Sequence, residues 1–133
     1  RSIVVSGDTA PDEDLARAAK GTDVLVHEAL SPEMVADLGA ALAAHGDWRA
    51  AKIMHDIPSY HTSPVAAARI ANEAGATLLV YTHLLPVLPN NLAERLFLRG
   101  VNAVRPNGVV VGEDGMLIRL DAGAAGIERT HLD

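Results

Sequence analysis

The chain contains no cysteine. Disulfides and thiolate metal sites are therefore excluded, and any metal would sit among histidine and carboxylate ligands. Aromatic residues are nearly as scarce, with one Trp, two Tyr and one Phe. Yet 49% of the residues are hydrophobic, so the core must be built from Ala, Val, Leu and Ile. Lysine occurs only at Lys20 and Lys52, no Lys/Arg-rich run exists, and the formal net charge is −6. No basic face of the kind that binds nucleic acid is visible, although a partner segment could supply one. No apolar stretch approaches the ~20 residues of a membrane-spanning helix. The absence of cysteine assigns no compartment; the cytoplasm is the preferred setting. The chain starts at Arg1 without a signal-like segment and enters a strand within two residues. That start reads as a cut inside a longer protein or as a processed end.

At 133 residues the length fits about one domain, which would bury roughly two-thirds of its unfolded surface. Ser2–Ser6 reads as a buried strand closed by Gly7. Pro11-Asp12-Glu13-Asp14 opens a helix that runs to Lys20 and stops at Gly21. Asp23–His27 is the next strand, and the spacing predicts a parallel pair. Ser31 caps an Ala-rich helix from Pro32 to about Ala44, and Asp47 caps a shorter one from Trp48 to about His55. Thr62 or Ser63 caps a further helix that begins at Pro64 and ends at Gly75. Thr77–Thr82 is apolar almost throughout and reads as a central strand, with Pro86 and Pro89 excluding regular structure just after His83. Asn90 or Asn91 caps a helix to Leu98, closed by Gly100. Val109–Gly112, Glu113-Asp114-Gly115 and Met116–Leu120 together predict a β-hairpin. Residues 1–121 thus read as one unit and 122–133 as a mobile tail.

Chemistry-bearing residues follow the apolar runs. Asp8 ends the first, His27 and Glu28 the second, and His83 the third, while His61 stands just before a helix cap. In an open α/β sheet the strand ends face the ligand crevice. Asp8 is either a carboxylate free to bridge metals or an ordinary turn residue. His83 is a metal ligand or a histidine satisfied by backbone. His27 and Glu28 face opposite sides of the sheet if the strand continues, so only one of them reaches a given site directly. His61 suits a general acid or an oxyanion donor. His45, His55 and His131 read as solvent-facing residues without a chemical role.

The order of these groups is more specific than any one of them. Gly7-Asp8-Thr9, His27-Glu28-Ala29, His61-Thr62-Ser63 and Thr82-His83 resemble, in register, the carboxyl-terminal half of the metallo-β-lactamase superfamily. The likeness is to its tRNase Z and arylsulfatase-like branch and covers about residues 2 to 120. It implies an α/β fold that is half of a four-layer αβ/βα sandwich. It also implies zinc, two ions in the whole protein, with Asp8 as bridging ligand and His83 as the last histidine ligand. Glu28 and His61 would be the catalytic pair, with His27 structural. A zinc-bound hydroxide would then cleave a phosphoester, sulfate ester or related ester.

Three departures from the family pattern matter. Leu30 stands where the tRNase Z motif has Thr. The stretch from Glu28 to His61 is longer and adds the Ala-rich helix. The family's His-x-His-x-Asp-His motif is absent from these residues. The first two favour a small ester over tRNA. The third makes the chain alone an incomplete, inactive site, whose bare sheet face should pack against the missing amino-terminal half or a second copy. Two other classes compete. A receiver-type phosphoacceptor using Asp8 and Thr82 needs an acidic pair and a Lys-Pro pair, and neither is present. A non-catalytic scaffold or dimerisation half of the same fold remains the alternative.

Overall fold

A computed structural model of the chain describes residues 1–124 and 126–132. Four strands, β1 (Ile3–Val5), β2 (Val24–Leu30), β3 (Leu78–Leu85) and β4 (Val109–Val111), form a parallel sheet in the order β1-β2-β3-β4. Helix α1 (Glu13–Ala18) links β1 to β2. Helices α2 (Pro32–Ala44), α3 (Trp48–Asp56) and α4 (Pro64–Ala74) lie between β2 and β3, with a 3-10 turn at Ile57–Ser59. Helices α5 (Asn91–Phe97) and α6 (Val101–Val104) lead into β4, and β5 (Met116–Arg119) and β6 (Glu128–His131) form a separate antiparallel pair. Among the described residues no helix is long and apolar enough to cross a membrane.

Local chemistry sets the helix starts. Asp12, Ser31, Asp47, Ser63 and Asn90 each accept a backbone N–H of the first turn, a contact worth about 1 kcal/mol. Gly75 ends α4 in the left-handed region at φ 67°, which a side chain would strain. Helix α4 buries Ala67, Ala68, Ala71 and Ala74 against Leu25, Leu79 and Tyr81 of the sheet. These small residues let the helix lie close to the strands. Tyr81 meets Phe97 edge-on at 6.1 Å, and its hydroxyl donates to Pro64 O at 2.6 Å. Burial pushes the Tyr81 phenol pKa up.

Helices α2 and α3 form a hairpin that stands off the body. It is rooted by Leu30, Val35 and Ile57 and leaves Trp48 71% exposed. The two helices touch at Gly39, where a Cβ would come within 3.1 Å of Met54 Cβ. The base of the excursion is closed by Leu30 N–H donating to Thr62 O at 2.9 Å.

Several expectations are corrected. Strand β1 is an edge strand with Ile3 and Val5 54% and 64% exposed, because the face they occupy is uncovered there. Helix α1 ends at Ala18 rather than Lys20. Strands β2 and β3 both run past their expected ends, to Leu30 and Leu85. Each provides the other's ladder partners, Ala29 with Leu84 and Leu30 with Leu85, and Pro86 withholds its N–H only beyond the last pair. Gly100 caps α6, a helix not expected from the sequence. The hairpin at 109–120 does not form: β4 gives its hydrogen bonds to β3. Strand β5 instead pairs with β6, and Ile118 and Leu120 pack on Val24, Leu78 and Val80 of the other sheet face. The stretch read as a mobile tail therefore contains a strand, Glu128–His131; Ala125 and Asp133 of that stretch lie outside the described residues.

Candidate active site

Strand β2 lies between β1 and β3, and the site gathers over its carboxyl end. The loop after β1 carries Asp8, whose Oδ1 is 2.8 Å from His83 Nδ1. His83 reaches this position through a β-bulge. Glu28 pairs with Thr82 and Ala29 with Leu84, so His83 has no partner in the ladder. Its φ is +43°, in the left-handed region, where a non-glycine residue costs about 1–3 kcal/mol. Bulges of this kind re-aim side chains beside active sites.

Glu28 points away from the helix-packed face of the sheet and is buried. A buried carboxylate needs donors to offset lost hydration. It has two: Thr62 N–H donates to Oε1 at 2.6 Å and His61 Nδ1–H to Oε2 at 3.1 Å. The amino terminus of α4 beside it adds a favourable dipole. His61 is buried, lies 5.1 Å from the Tyr60 ring and 5.5 Å from that of His83, and presents Nε2 as its free ring atom. One ligand atom from each of Glu28, His61 and His83 falls within 4.8 Å of the others.

Strand β2 persists through Glu28, so His27 and Glu28 do face opposite sides. His27 is fully buried under the helices. Its Nδ1 is 2.7 Å from Glu28 O. That contact requires the proton on Nδ1, since the other tautomer would set lone pair against lone pair. Nε2 has no partner among the described residues. Burial lowers the His27 pKa, against the opposing pull of the Glu28 carbonyl and carboxylate.

Both partners of the Asp8–His83 pair are about half exposed. Such a pair is worth about 0–1 kcal/mol and cannot hold the loop by itself. The loop is held by hydroxyls that sequence reasoning missed. Ser6 Oγ accepts Glu28 N–H at 3.1 Å and donates to Gly7 O at 2.6 Å. Thr62 Oγ1 donates to Thr9 O at 2.6 Å. Nothing local in the sequence marks Ser6. Thr62 stands beside the true cap, Ser63, and was one of two candidates for that simpler role.

His45, His55 and His131 lie outside the site. His55 contacts Asp56 at 3.2 Å. The Asp56 carboxyl is held below its usual range by Lys52 first and His55 second.

A cleft of about 600 Å³ opens beside His83 at the carboxyl ends of β3 and β4, reaching from Ile118 of β5 to Glu94 of α5. Val26, Val80, Leu88 and Ile118 line it, and Glu94, Glu113 and Asp114 add carboxylates.

The chain is similar to ribonuclease Z of Mycobacterium avium, 32% identical over 122 residues, which is 91% of this chain and 39% of that protein. It is also similar to ribonuclease Z of Mycobacterium tuberculosis H37Rv, 34% identical over 87 residues, 65% of this chain and 28% of that protein. Among solved structures it is similar to the metallo-β-lactamase fold protein YhfI from Bacillus subtilis, with a TM-score of 0.56 and 19% identity, over 96% of this chain and 39% of that one. The chain belongs to the metallo-β-lactamase superfamily. Its sequence relatives are on the ribonuclease Z branch of the superfamily, and the structural likeness carries the shared fold. No protein-family model matches the chain. The chain spans about a third of the length of the curated relatives it matches.

The superfamily implies a metal, and the donor chemistry fits one in part. Asp8 and His83 offer an oxygen and a nitrogen side by side and open to solvent, as a zinc site built without cysteine needs. Each Glu28 oxygen accepts one hydrogen bond and keeps a further lone pair, and Glu28 lies with His61 and His83 at a spacing that an ion could bridge. Asp8 and His83 by themselves offer fewer ligands than a four-coordinate ion takes.

Proposed function

We propose that this chain supplies one side of the active site of a metal-dependent hydrolase that cleaves a phosphoester, sulfate ester or related ester. The observation that carries this reading is the meeting of Asp8 and His83 beside the buried Glu28–His61 pair. Asp8 and His83 would hold zinc, with two ions in the whole protein. When bound there, zinc supplies Lewis acidity and a nucleophile available at neutral pH.

The chain's own residues do the rest. Glu28 accepts the Nδ1 proton of His61 and fixes the ring's direction. His61 Nε2 is then the atom that faces a substrate, able to give a proton to a leaving group or to donate a hydrogen bond to developing charge. The bulge holds His83 beside Asp8 before any ligand arrives.

Support for a small ester over tRNA comes from the net charge of −6 and the carboxylates of the cleft. Both work against a polyphosphate backbone, which is bound mainly through Lys and Arg. The exposed Ile3 and Val5 and the apolar cleft support packing against a missing amino-terminal half or a second copy.

The test is made on the protein that carries this chain, with bis(4-nitrophenyl) phosphate as probe. Asp8→Ala and His83→Ala are expected to lose zinc and hydrolysis together. His61→Ala should retain zinc and lose about 10²–10⁴ in rate. Full zinc content and activity in both ligand variants would overturn the metal assignment. The 133-residue chain alone should bind zinc weakly, and tight stoichiometric binding would show that it needs no further ligands.

A further inference from the structure

We propose that Thr62 is a positioning residue that joins the loop bearing Asp8 to the Glu28–His61 pair, so that the metal side and the proton-transfer side of the site are held as one body. This rests on the function proposed above.

Thr62 is fully buried, and each of its polar groups serves a different segment. Its N–H donates to Glu28 Oε1 at 2.6 Å. Its hydroxyl donates to Thr9 O at 2.6 Å. Its carbonyl accepts Leu30 N–H at 2.9 Å. The residue before it is His61 and the residue after it caps α4. Two of these three bonds are made by backbone and would survive any ordinary side chain. Only the bond to Thr9 depends on the hydroxyl, and it is the one that reaches the Asp8 loop.

That loop has little else to fix it after Asp8. Asp8 and Ala10 are exposed and Thr9 is only half-buried. The Thr9 hydroxyl turns back to Ala10 O. On the other side Ser6 is tied by its N–H to Val26 O and by its Oγ to Glu28 N–H. Thr62 closes the opposite end, leaving Asp8 suspended between two anchors that both lead to Glu28. Holding an exposed carboxylate in this way adds nothing to the core. It does fix the distance between a metal ligand and the histidine that must act beside the metal, and site geometry of this kind has to be kept within about 0.5 Å.

Thr62→Val keeps the branched shape and both backbone bonds and removes only the hydroxyl. Thr62→Ser keeps the hydroxyl and removes a methyl. The experiment is ¹⁵N relaxation on the metal-free protein that carries this chain. In the parent chain and in Thr62→Ser, the amides of Asp8 and Thr9 should show order parameters near the ~0.85 of rigid backbone. In Thr62→Val they should fall below about 0.6 while β2 and β3 stay rigid. Should Thr62→Val fail to fold, the parent chain still decides the matter, because a hydroxyl proton in this buried bond should exchange slowly enough to be observed and show cross-relaxation with Thr9. A rigid loop in Thr62→Val, an equally loosened loop in Thr62→Ser, or a fast-exchanging Thr62 hydroxyl proton would each overturn the proposal. None of these readouts involves metal or substrate, so their failure is distinct from that of the hydrolase reading, which fails on the zinc content of Asp8→Ala.

Discussion

Asp8 and His83 meet at 2.8 Å although their strands, β1 and β3, are kept apart in the sheet by β2. The loop after β1 and the bulge in β3 both lean over the end of β2, where the Glu28 carboxylate lies buried with His61. A regular β3 would have placed residue 83 in the ladder, its side chain confined to one face of the sheet.

The bulge sets up a conflict between stability and chemistry. The left-handed backbone at His83 disfavours any side chain by about 1–2 kcal/mol relative to glycine. His83→Gly is therefore expected to be about 1 kcal/mol more stable than His83→Ala in urea unfolding, while both lose the imidazole. Equal midpoints for the two would show that the position is unstrained.

The buried His27 makes stability depend on pH. Its folded pKa lies below the ordinary 6.5. Above pH 6.5 the ring is neutral in both states, and the stabilisation is fully present. Below it the unfolded chain takes up the proton first, so stability falls as pH drops toward the folded pKa, by up to about 1.4 kcal/mol per pH unit. His27→Asn keeps a donor near the Nδ1 position but does not titrate. The stability difference between the parent chain and this variant should shrink as pH falls below 6.5. A difference constant with pH would mean that His27 titrates normally in the fold.

The uncovered sheet face should make the isolated chain self-associate. Ile3→Lys combined with Val5→Lys places two charges on the exposed side of β1 and should shift sedimentation toward monomer at high concentration. Parent chain that remains monomeric throughout would count against an unpartnered apolar face.

What was legible in the sequence is what is encoded locally. Ser31-Pro32, Asp47-Trp48 and Ser63-Pro64 each carry their helix start within a few residues, and Gly75 carries its stop. Strand ends are different, because a strand continues for as long as its neighbour offers partners. The extension of β2 to Leu30 depends on Leu84 and Leu85, more than fifty positions away. The choice of β6 rather than β4 as partner of β5 is decided by burial of Ile118 and Leu120 against the sheet. For the site, the order of Asp8, Glu28, His61 and His83 along the chain announced a shared edge, and the structure brings the four together. The bulge and the hydroxyls of Ser6 and Thr62 could not be read, since a serine before a turn and a threonine before a helix have commoner uses.

The main-chain bond between Leu30 N–H and Thr62 O draws together the two ends of the segment that holds α2 and α3. Both helices lie between those ends, and the chain returns to the site at His61. The hairpin is an appendage on a closed socket: shortening or exchanging it between Val35 and Ile57, the residues that root it, is expected to leave Asp8, Glu28, His61 and His83 where they are.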